Sequence, residues 1–169
     1  MKRAWIGGDI GIVLCLAVFG LATEARAADC QYVRGSITET VIPSPYDQFG
    51  RTLGIVDGVL KGASTASITS IAGLNATSVD VFVTKRGDML TAEGAVALTP
   101  VPGAPPGEFT LNVKLSVTGG SGKYAGATKD SILTFEGQAH NFFGGPGVAT
   151  ANVVYRGFIC GPNVNGTRD

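Results

Sequence analysis

Charge is scarce in this chain. Asp, Glu, Lys and Arg make up 15% of its 169 residues, 13 basic against 13 acidic. No run of one sign occurs, which argues against nucleic acid or another polyanion as a partner. Histidine appears once, as His140. A lone imidazole supplies no ligand set, so neither a metal nor another cofactor is expected. His140 borders a glycine-rich turn and reads as a solvated loop residue. There is no Gly-x-Ser-x-Gly elbow, so the plentiful Ser and Asp residues form no recognisable hydrolase triad. No segment shows the 3.6-residue period of a long amphipathic helix.

Long apolar runs are also missing. The one sustained run, Ile10 to Leu21, is about a dozen residues, against the roughly twenty that a membrane-crossing helix needs. It follows Lys2 and Arg3 and precedes Ala25-Arg26-Ala27, the layout of a secretory signal peptide. Cleavage between Ala27 and Ala28 is expected. That leaves no membrane span, a domain over 28–161 and a polar tail over 162–169, in the periplasm or outside the cell. An uncleaved anchor is the alternative. Leu14 before Cys15 is not the small residue that a lipoprotein signal wants. Cysteine numbers only three, and loss of the leader leaves Cys30 and Cys160. In an oxidising compartment such a pair tends to bridge, and the two sit at the start of the first expected strand and the end of the last. Two free thiols are the alternative.

What the chain does have is 25 glycines and many Val, Thr and Ala in period-two order, which points to β structure. Strands are expected over 31–40, 52–61, 63–71, 78–85, 89–99, 108–118, 131–140 and 148–160. The best of them alternates Phe109, Leu111, Val113, Leu115 and Val117 with Thr110, Asn112, Lys114 and Ser116. Proline-rich breaks fall at Pro43-Ser44-Pro45 and over 100–107, where prolines cannot join a ladder. Eight short strands separated by turns make an all-β domain. An eight-stranded antiparallel closed barrel would leave no open edges and just enough interior for side chains or one small ligand. A two-sheet β-sandwich fits the same pattern.

The stretch Gly119-Gly120-Ser121-Gly122-Lys123-Tyr124-Ala125-Gly126 between two strands has the look of a phosphate cradle. Walker A fails, because Val117 stands where its first glycine belongs and Tyr124 where its hydroxyl residue belongs. Gly120-Ser121-Gly122-Lys123-Tyr124-Ala125 fits the looser dinucleotide pattern, but that pattern acts only within a strand–turn–helix unit of a parallel sheet. The stretch therefore reads as a structural corner, with one helical turn over 123–128 anchored by Tyr124. Residues 117–127 resemble the Gly-Gly-Thr-Gly-aromatic-x-x-Ala turn of the allene oxide cyclase and dirigent proteins. Phe49-Gly50-Arg51 is similar to the Gly-Arg that opens an early dirigent strand. The resemblance implies an eight-stranded antiparallel barrel, often trimeric, with an apolar cavity. It carries over no catalytic residue.

Two residues are candidates for chemistry. Asp57 interrupts the face formed by Leu53, Ile55 and Val59. Turned inward, its carboxyl would be desolvated and its pKa raised, as for a proton donor or base. Turned outward, with Val56 and Leu60 inside, it is an ordinary surface acid. Tyr155 shares a face with Val153 and Ile159, as a cavity residue or a core tyrosine with one hydrogen bond. Phe82 and Asp80 oppose the Val79-Val81-Val83 stripe and are expected to face solvent or a neighbouring subunit. Arg86-Gly87-Asp88 reads as a hairpin tip rather than an adhesion motif. Asn75-Ala76-Thr77 and Asn165-Gly166-Thr167 fit the N-glycosylation pattern, which acts only on a eukaryotic secretory route. The functional expectation is a secreted barrel that holds a small apolar molecule and steers its cyclisation or coupling. An isomerase or cyclase of the allene oxide cyclase type, and a filled barrel with no site, are the alternatives.

Overall fold

Eight strands follow one another around a closed antiparallel barrel in a computed structural model, which describes residues 29–42, 49–143 and 147–164. They are β1 (Cys30–Ile42), β2 (Arg51–Gly58), β3 (Gly62–Ala72), β4 (Asn75–Thr84), β5 (Met89–Pro100), β6 (Phe109–Gly120), β7 (Ile132–His140) and β8 (Thr150–Cys160). Each pairs with its sequence neighbour, and β1 pairs with β8 to complete the ring. The sandwich alternative is thereby set aside. The expected signal peptide, its Ala27–Ala28 junction and Asn165 lie outside the described residues. Among the described residues no helix is long and apolar enough to cross a membrane.

Closure brings Cys30 opposite Cys160, and the two form a disulfide across 130 positions of chain. Beside it lies the glycine corner. Its helical part is shorter than expected, a single 3-10 turn over Gly122–Tyr124, with Tyr124 fully buried as its anchor. Gly122 has φ +64°, and a Cβ there would stand 2.1 Å from Asp88 Oδ1. A glycine is required both for the backbone angle and for the close approach.

Alternation along the strands sorts the interior into two halves. Towards the disulfide end, Val33, Val56, Leu60, Leu90, Leu115, Val117, Leu133 and Ile159 are essentially inaccessible. Phe82 and Phe135 stack between them with centroids 6.1 Å apart, so this half is solid. Towards the other end the inward positions carry smaller or polar groups, such as Thr52, Ala66, Ser78, Asp80 and Ala151. There the barrel stays hollow.

The strands whose two faces are both apolar correct the sequence reading. In β4 the valine stripe faces outward, with Val79 43% and Val83 39% exposed, while Phe82 is 2% exposed inside the barrel. Asp80 points inward with it. A period of two separates two faces without saying which is the inner one. Here packing chooses the aromatic, because Phe82 buries more surface than a valine and meets Phe135 across the core.

Candidate functional site

The hollow half encloses a cavity of about 270 Å³. Its walls are mainly apolar, including Ile68, Val96, Leu98, Leu111 and Val113. Phe49, Phe142 and Phe143 complete it at the end away from the disulfide. Phe142 and Phe143 follow Asn141 on a turn in which Asn141 has φ +58° and Phe143 φ +52°. Asn enters this region more readily than most residues, whereas Phe143 does so at a steric cost. Phe143 meets Phe109 edge-on at 5.7 Å and Phe142 at 6.3 Å.

Two carboxyls enter this apolar space. Glu39 of β1 continues the inward series Val33, Gly35 and Ile37, and Asp80 of β4 continues the series ending in Phe82. Glu39 accepts a hydrogen bond from Ser64 Oγ at 3.1 Å, and Asp80 accepts one from Ser78 Oγ at 2.6 Å. Burial pushes the Glu39 pKa above its ordinary value, against the lowering by hydrogen bonds from Ser64 and Thr52. Burial also raises Asp80, to about 7, with Ser78 opposing the rise and the Glu39 charge adding to it. Desolvation dominates for both, since an ion inside an apolar barrel loses most of its hydration.

The two residues singled out from sequence lie elsewhere. Asp57 takes the outward alternative: Val56 and Leu60 fill the interior, while the Asp57 side chain is 64% exposed with Lys61 Nζ 3.8 Å away. Tyr155 is buried, but its hydroxyl is fully engaged at the closed end. It donates to Asp57 O at 2.9 Å and accepts from Leu60 N–H at 2.9 Å. Its ring lies over Gly35, where a Cβ would come within 2.5 Å of the Tyr155 hydroxyl. Tyr155 thus ties β8 to the turn between β2 and β3 and does not line the hollow half.

The other sequence signals also find places. His140 is not a solvated loop residue: it ends β7 and pairs through Nδ1 with Glu108, its side chain only 35% exposed. Asp88 of the Arg-Gly-Asp triplet is 4% exposed and accepts a hydrogen bond from Lys123 N–H at 2.9 Å. That carboxylate joins the hairpin to the glycine corner and is not offered to a partner. Among the described residues no group of three or more His, Cys, Asp or Glu could hold a metal ion. Glu39 lay within reach of sequence reasoning, since carrying the Val33–Ile37 alternation one step further puts it inside; Asp80 did not, because the valine face of β4 competes with it. No family model, curated protein or solved structure matches the chain.

Proposed function

We propose that the protein is an exported binding barrel that takes one small, largely apolar molecule into the hollow half of its interior. The observation that carries this reading is the cavity itself. A barrel whose only role is structural gains by packing its core, and an unfilled volume of this size forfeits contacts. Here the opposite half is solid, while small side chains and acids keep this half open. Apolar walls with a few convergent polar groups are the usual makeup of a small-molecule site. Export is supported by the leader-like N-terminal sequence and by the disulfide, which persists in oxidising compartments. The turn resembling those of dirigent and allene oxide cyclase proteins supports a container for a guest whose cyclisation or coupling is steered by confinement. The trimer which that resemblance implies is supported by an outer wall rich in exposed apolar side chains, among them Leu53, Ile55, Val79 and Met89.

An isomerase or cyclase is the second reading, favoured by Asp80. A carboxyl titrating near neutrality can give a proton to a guest, and Glu39 can take one back, so ring closure proceeds with no net gain or loss of atoms. Binding is tested with a neutral apolar fluorophore, N-phenyl-1-naphthylamine, and by native mass spectrometry of protein from its natural host. The wild-type barrel should enhance the fluorescence and retain a guest in the gas phase. Val113→Trp, which fills the cavity, should do neither; equal uptake by that variant would refute the internal site.

A further inference from the structure

We infer that the guest carries a basic nitrogen and binds as a cation between Glu39 and Asp80, its hydrocarbon body against Ile68, Val96, Leu98, Leu111 and Val113. This rests on the binding-barrel reading above and adds the chemical class of the molecule bound.

Three observations converge. First, the cavity holds acids with no matching base. Among the described residues lining it, the titratable side chains are Glu39 and Asp80, with no Lys, Arg or His. The strands beside Asp80 present Ala66 and Ala92 opposite it, neither of which titrates. Second, the acids are short of donors. Among the described residues each receives one serine hydroxyl, Glu39 with a further contribution from Thr52. A carboxylate offers about four acceptor positions. The Thr52 hydroxyl meanwhile accepts from Ala66 N–H at 3.1 Å. A guest can bring the missing donors, and an ammonium group supplies three with no acceptor to leave unsatisfied.

Third, the same device recurs at both acids. Gly54 lies in register between Glu39 and Ser64, and a Cβ there would stand 2.4 Å from Ser64 Oγ and 2.8 Å from Glu39 Cγ. Gly94 lies opposite Ser78, and a Cβ there would stand 2.2 Å from Ser78 Oγ and 3.0 Å from Asp80 Oδ2. In each case a missing side chain on the next strand makes room for a serine–acid pair. Once both acids are ionised, a neutral guest would leave their mutual repulsion in place, and an anion would add to it. A cation removes it.

Because burial raises Asp80 to about 7, a cation must displace its proton below that pH. Affinity for an amine should then fall as pH drops, by up to roughly tenfold per unit.

The test is a titration calorimetry series on the wild-type protein with three guests of one shape: octylamine, 1-octanol and octanoate. At pH 8 octylamine should bind roughly tenfold to a hundredfold more tightly than octanol. Octanoate should bind most weakly, and the advantage of the amine should shrink by pH 5.5. At pH 6.5, repeating the octylamine titration in buffers of different ionisation enthalpy should show proton release. Asp80→Asn should reduce the preference for the amine while keeping octanol binding. Should that variant fail to fold, the wild-type series still decides. Octanol or octanoate matching octylamine at pH 8 overturns the cation while leaving the binding barrel standing. If none of the three binds, and the neutral fluorophore is also refused, both readings fall.

Discussion

A carboxyl inside an apolar barrel is unstable as an ion, and a single serine cannot replace its water shell. Asp80 therefore holds its proton at pH values where an exposed aspartate has lost it, rising from 3.8 to about 7. The sign of the consequence follows from linkage. Between these values the folded protein binds a proton that the unfolded chain does not, so the stabilisation is fully present below about pH 4. It is lost as pH rises through about 7. Glu39, raised for the same reason, acts in the same direction. Asp80→Asn, which keeps the shape without the charge, should flatten this dependence and leave the variant more stable than wild type by roughly 2–4 kcal/mol at pH 8. Urea unfolding at pH 4.5, 6.5 and 8.5 measures the effect. A wild-type protein whose stability rises over that range would show that Asp80 is solvated. Asp80 does not stand out by local sequence, because period-two order in β4 offers Asp80 and Phe82 or three valines as equally good inner faces. Choosing between them takes the aromatic contact across the barrel.

At the scale of elements, turns do more than connect strands. The hairpin between β4 and β5 and the corner between β6 and β7 are tied together by one carboxylate. Asp88 accepts from Lys123 N–H and from the Thr84 hydroxyl, the latter at 3.3 Å. Asp88→Ala leaves the Lys123 amide without that partner, so a loss of about 1–3 kcal/mol is expected. The damage should stay local: hydrogen exchange should quicken at 84–88 and 120–125 while strand amides near Glu39 remain protected. Uniform loss of protection would show that the corner and the barrel open as one cooperative unit. These elements were the most legible part of the sequence. All eight strands fall within three residues of their expected limits, because alternation is a local property and Gly and Pro interrupt it sharply. The facing of β2 was legible only as a pair of alternatives, since Leu53, Ile55 and Val59 are as apolar as Val56 and Leu60. The exposed wall that settles it, with Ile55 72% accessible, is a property of the assembled sheet.

For the molecule as a whole, a single covalent bond spans almost the entire fold. A consecutive antiparallel barrel places its first and last strands side by side, so cysteines at the outer ends of β1 and β8 meet wherever the ring closes in register. The pairing is therefore legible in the sequence, unlike the cavity, which depends on which inner positions are small. Bridging 130 positions removes loop entropy from the unfolded chain, worth about 5 kcal/mol in the chain-entropy model. Domains of ordinary stability have only ~5–15 kcal/mol to lose. The bridge is thus on the scale of the net stability, and the reduced protein should sit near its unfolding threshold. Cys30→Ser and the dithiothreitol-reduced wild type should each melt lower by on the order of 10–20 °C. The double variant Cys30→Ser, Cys160→Ser should match them, because the effect resides in the unfolded chain and not in a contact of either sulfur. Calorimetry on the four forms decides the matter. A shift of only a few degrees would mean that the unfolded chain already keeps its ends together, and that the β1–β8 seam holds without its staple.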